Sequence, residues 1–144
     1  MKKLIIAALF TLPLFTHTFA FAAQEDQISA AASLKLNMKQ IGKNLKAIVA
    51  TVNDSSKNQD NAGLAQQAAE AFQAVYNQVP DVINEMPADQ QPEAIKGFQQ
   101  EIQKGIDLFT QLKDAFLNGD NAGAAQILKA LSQLKQDGHD QYNP

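Results

Sequence analysis

The sequence predicts an all-α protein, an up-down-up-down four-helix bundle, on three observations. Apolar residues recur at helical spacing in four separate stretches, and of the three linkers between them two are short and one is long. Glycine and proline are few and localised, whereas Ala, Gln, Leu and Lys are abundant, which favours helix throughout.

The chain opens MKKLIIAALFTLPLFTHTFAFAAQED. Two lysines, an apolar run from Leu4 to about Phe15 and the small-x-small triplet Ala20-Phe21-Ala22 have the order of a secretory leader over residues 1–22. The alternative, an N-terminal anchor helix, needs a longer apolar run than this one. Residues 23–144 are then one domain, enough for a single core. His17 leaves with the leader. So do Lys2 and Lys3, which takes the net charge from −3 to about −5 and argues against nucleic acid as a partner. Cysteine is absent. That excludes covalent Cys-x-x-Cys-His haem attachment, iron–sulfur clusters, cysteine zinc sites and a lipoprotein anchor.

Leu34, Met38, Ile41, Leu45, Ile48 and Val52 step by four, three, four, three and four, the seam of a long first helix. The polar stretch NDSSKNQD ends it. Leu64, Ala68, Ala71, Phe72, Val75, Tyr76 and Val79 form a second stripe, stopped by Pro80. Residues 80–92, PDVINEMPADQQP, hold three of the five prolines and form the long connection, with room for one helical turn. Ile95, Phe98, Ile102, Ile106, Phe109, Leu112 and Phe116 give a third stripe, which Asn118-Gly119 terminates with a residue suited to a left-handed cap. Ala124, Ile127, Leu128, Leu131 and Leu134 make the fourth. DNAGLAQ from Asp60 and DNAGAAQ from Asp120 echo one another at two helix starts. This reads as N-capping chemistry rather than as a repeated binding loop.

One mature histidine, His139, limits the chemistry by counting. Di-iron carboxylate sites need two Glu-x-x-His pairs, and Gln136 stands three before His139. A hydrolase triad would lack its nucleophile elbow, and zinc would lack further nitrogen or sulfur ligands. Haem ligated by His and Met remains, with Met38 or Met86 supplying sulfur. At about 1.5 Å per residue, Met38 and His139 lie roughly 22 and 27 Å from the end of the bundle near residues 53 and 118, and Ile102 and Phe98 roughly 24 and 30 Å. These positions share one level on three helices, whereas Met86 falls in the proline-bounded connection. The ordinary alternatives are a core-filling Met38 and a solvated His139 near a helix end.

The stretches LKLNMKQIGKNLKAI, IKGFQQEIQKGIDLF and HDQY resemble the soluble periplasmic cytochromes b562 from about Ser33 to the end, weakly in the second helix. The resemblance implies a non-covalent haem b bound by Met38 and His139, with Phe98 and Ile102 in the places of apolar pocket residues. Lys135 stands near the histidine where that family commonly has arginine. Asp137-Gly138 has the composition of a helix stop, which would turn the chain before His139. If the helix continues, His139 lies at the edge of the apolar stripe.

The expectation is a periplasmic one-electron carrier, not an enzyme, with Ile41, Leu45, Phe98 and Ile102 burying the ring. It is expected to be monomeric, outside the membrane after processing, and to act with a redox protein that the sequence does not identify. The rivals are a haem-free interaction or chaperone-like bundle, and a haem enzyme for peroxide or gas chemistry with an open iron position. Intact-mass measurement of exported protein is expected to show a chain starting at or near Ala23; retention of residues 1–22 would contradict the leader.

Overall fold

The computed structural model describes the backbone over residues 18–142 and side chains over residues 32–142. Most of the expected leader, including His17, lies outside the described residues. The elements are α1 (Thr18–Thr51), a 3-10 turn (Ser55–Lys57), α2 (Asn58–Val75), the short α3 (Asp81–Asn84), α4 (Gln91–Leu117) and α5 (Asn121–Tyr142). The described residues form an all-helical bundle without strands, and no helix among them is long and apolar enough to cross a membrane. The one helical turn expected in the long connection is α3.

The helix ends follow local chemistry. Gly119 has φ +73°, its N–H donates to Phe116 O (3.0 Å), and the Asp120 N–H donates to Ala115 O (2.8 Å). This is the glycine-capped end that Asn118-Gly119 predicts, with two otherwise unpaired carbonyls satisfied. Asp120 then caps α5, its Oδ1 accepting from the Gly123 N–H at 2.8 Å. The parallel reading of Asp60 is corrected: α2 starts at Asn58, so Asp60 lies inside the first turn and pairs with Lys57 at 3.4 Å.

The echoed asparagines do something that capping does not describe. Asn61 Nδ2 donates to Thr51 O (3.4 Å), and its Oδ1 accepts from Thr51 Oγ1 (2.8 Å). Asn121 Nδ2 donates to Val52 O, and Asn121 exchanges amide hydrogen bonds with Asn58 at 2.9 Å each way. Both repeats thus deliver an amide to a carbonyl at the end of α1, Thr51, or just past it, Val52, where intrahelical donors run out. They fasten the starts of α2 and α5 to the end of α1.

Packing is closest between α2 and α4. α2 also packs against α1, so burial spreads around it over Ala62, Ala65, Ala68, Ala69, Ala71 and Val75, and small side chains let both neighbours approach. Phe72 lies across buried Gly105 and meets Phe109 at 5.9 Å between ring centroids. Asn44, only 2% exposed, donates to Leu64 O at 3.2 Å and accepts from Gln40 Nε2 at 2.7 Å, tying α1 to α2 without an orphaned amide. Among the pairs of long helices that pack side by side, α1 and α5 have the least contact, and a shallow groove lined by Val49, Val52, Ala125 and Leu128 runs between them.

Two glycine substitutions are expected to move stability in opposite directions. A Cβ at Gly105 would lie 2.8–3.0 Å from the Phe72 ring, whereas at Gly42 it meets nothing within 4 Å. Gly105→Ala is expected to lose about 1–2 kcal/mol through overpacking, and Gly42→Ala to gain about 0.4–1 kcal/mol. Urea denaturation of both variants checks the pair; equal gains would contradict the packing of Phe72 on Gly105.

Candidate functional site

The end of the bundle away from the asparagine lock is apolar. Val75, Ile83, Phe98 and Ile102 are buried together, and Leu34, Met38, Tyr76, Val79, Ile95 and Tyr142 pack around them. α3 contributes Ile83 at 0% exposure, so the proline-rich connection folds back as a plug rather than serving as a spacer. The Pro80 carbonyl, at the start of α3, accepts from the Ile83 N–H at 3.0 Å and holds that turn.

Met38 is half-buried at the boundary of two apolar clusters. On one side it packs with Phe98 and Ile102; on the other is the main core, which contains Ile41 and Leu45. Five of the six residues expected at the site therefore belong to these adjoining clusters. Met86 belongs to neither and lines a polar groove with Asp89, Glu93, Lys96 and Gln141. His139 is exposed on α5. It is the one expected site residue that the structure leaves outside the apolar clusters.

The helix stop expected at Asp137-Gly138 does not occur: α5 runs on to Tyr142, and Gly119 is the positive-φ glycine among the described residues. Tertiary packing overrides the local signal. The Tyr142 ring meets Phe98 edge-on, with centroids 5.1 Å apart and planes at 81°, and its hydroxyl lies 3.4 Å from where a Cβ on Gly97 would stand. Burial of that aromatic edge holds down the last turn of α5, and His139 with it. The Tyr142 hydroxyl is itself buried without a hydrogen-bond partner among the described residues, as is Gln78 Oε1.

Glu101 was not legible as a site residue; it is partly buried at the border of the apolar stripe of α4, three after Phe98 and one before Ile102. A Cβ on Gly138 would stand 3.5 Å from Glu101 Oε2, so glycine leaves the carboxylate room against α5. Burial pushes the Glu101 carboxyl above its ordinary value, Asp137 adds to the rise and Lys104 opposes it. Burial, and then the charge of Glu101, raises the Tyr142 phenol. A charge at the border of the apolar stripe was the signal that periodicity alone passes over.

The residue types present are compatible with an iron porphyrin: Met38 carries a thioether beside the buried apolar Phe98 and Ile102, the Tyr142 hydroxyl has no hydrogen-bond partner among the described residues, and the exposed His139 carries an imidazole. No group of three or more His, Cys, Asp or Glu able to hold a metal ion occurs among the described residues.

Glu101→Gln is expected to raise the melting temperature at neutral pH, with the gain vanishing in acid. The sign follows from linkage: a carboxyl whose folded pKa is raised binds its proton more tightly when folded, so ionisation weakens the fold as pH rises through that range. Thermal melts between about pH 3 and 7 measure it; a gain independent of pH would contradict the burial of this carboxylate.

A family model described as Cytochrome b562 matches residues 33–143. Neither a curated protein nor a solved structure matches the chain. The match extends from the residue before Leu34 through α5, and the chain belongs to the cytochrome b562 family, which points to a haem-binding electron carrier.

Proposed function

We propose that the chain is a periplasmic b-type cytochrome that carries single electrons, holding haem non-covalently with Met38 and His139 as axial ligands. The observation that carries this reading is the position of Met38 between two apolar clusters, in a chain that belongs to this family. Bound haem supplies a one-electron ferrous/ferric couple.

The residues divide the work. With haem bound, the Met38 thioether would favour reduced iron and raise the potential, and the His139 imidazole would be the second ligand. Phe98, Ile102, Ile41 and Leu45 exclude water and provide most of the binding, since no thioether bond to the protein is available. Two side-chain ligands leave no open position for peroxide or gas chemistry, which favours a carrier over an enzyme. The up-down-up-down course is supported by the asparagine lock, which gathers the end of α1 with the starts of α2 and α5. Export through the leader at residues 1–22 and a monomeric mature chain of residues 23–144 complete the proposal.

Met38→Ala is expected to turn a low-spin six-coordinate absorption spectrum into a high-spin one, while Met86→Ala leaves it unchanged. His139→Ala is expected to weaken haem retention at least tenfold. Unchanged spectra and affinity in both Met38→Ala and His139→Ala would overturn the ligand assignment. Reversal of the two methionine phenotypes would move the sulfur ligand to the connection.

A further inference from the structure

α1 carries an unneutralised basic ridge in an acidic protein. Lys35, Lys39, Lys43 and Lys46 are spaced four, four and three residues apart, which puts them on one helix face, and all four are exposed. No Asp or Glu occurs between Gln27 and Asn53. From Asp54 to Pro144 the balance is reversed, with six lysines against thirteen carboxylates. Among the described residues the ion pairs are Lys57–Asp60 and Lys113–Asp114, so the ridge is neutralised neither along its helix nor across the bundle. Like charges at four-residue spacing weaken a helix, and no carboxylate among the described residues pairs with these lysines. Leu36 and Val49, 66% and 50% exposed, are two of the three exposed large apolar side chains among the described residues and flank the ridge on either side.

We propose that this face of α1 is the docking surface for an acidic protein partner. Its charge selects an anionic counterpart, and Leu36 and Val49 give it apolar contact points beside the charged rim. Lys35 to Lys46 spans about 16 Å of helix, the scale of a small transient interface. The ridge begins within a turn of Met38, so a docked partner lies alongside the helix that carries the proposed sulfur ligand. A lipid surface is a poorer occupant, because the continuous apolar seam of α1 is already buried in the bundle and only isolated apolar residues remain on the lysine face. That the partner is a redox protein rests on the electron-carrier reading; that the ridge binds an acidic chain does not.

The probe is polyglutamate of about 20 residues, long enough to span the ridge as an extended chain, titrated at low salt into isotope-labelled mature protein with amide shifts as the readout. Shifts are expected to concentrate on residues 33–50. Joint replacement of Lys35, Lys39, Lys43 and Lys46 by Gln is expected to weaken binding at least tenfold. Replacing the equally numerous Lys57, Lys96, Lys104 and Lys129 by Gln is expected to change it less than threefold. Arginine at the four α1 positions is expected to restore binding, which separates loss of charge from loss of fold. Equal weakening in the two glutamine variants, absence of binding, salt-sensitive self-association, or stronger binding to phosphatidylglycerol vesicles than to polyglutamate would each overturn the proposal. A chain that takes up no haem but binds polyglutamate through α1 would defeat the carrier reading and leave the docking surface standing.

Discussion

The close approach of α2 and α4 is the constraint on which the rest of the bundle depends. Alanines at 62, 65, 68, 69 and 71 and the absence of a side chain at Gly105 let the two helices meet with Phe72 wedged between them. Because α2 also takes up α1, and α4 also takes up α5, the remaining pair, α1 and α5, is left with little mutual contact. Met38 and His139 are thus carried by two neighbouring helices with little mutual packing. A ligand that bridges them competes with little existing packing.

The two ends of the bundle are built differently. At one end, polar groups close the structure: Asn58 and Asn121 pair with each other, Asn61 with Thr51, and Asn61 and Asn121 donate to the carbonyls of Thr51 and Val52. At the other, apolar contacts dominate, and the two buried side-chain polar atoms without a partner among the described residues, Tyr142 Oη and Gln78 Oε1, lie there. Buried polar atoms are seldom left unsatisfied, so this is the end where the fold has unused bonding capacity.

Long-range order was legible in the sequence wherever one periodic face met one partner. The seam from Leu34 to Val52 and the stripe from Phe98 to Phe116 follow from spacing, and Gly119 from its cap chemistry. What was not legible depended on contacts between elements. Ile83 is core only because α3 folds back; Asn61 and Asn121 act across helices although they look like caps; and Gly138 stays helical because Tyr142, four residues later, has Phe98 to pack on. At the candidate site, periodicity placed Met38, Phe98 and Ile102 among apolar neighbours. The exposed His139 entered only by counting histidines and by resemblance, since nothing in local spacing directs an imidazole inward.

Titration of the mature chain with haem, followed by absorption before and after reduction, tests the central claim most directly. The account predicts a one-to-one endpoint, a low-spin oxidised spectrum and a sharp alpha band on reduction, as six-coordinate iron with thioether and imidazole ligands requires. A titration without an endpoint, or a bound form that stays high-spin in both oxidation states, would contradict it.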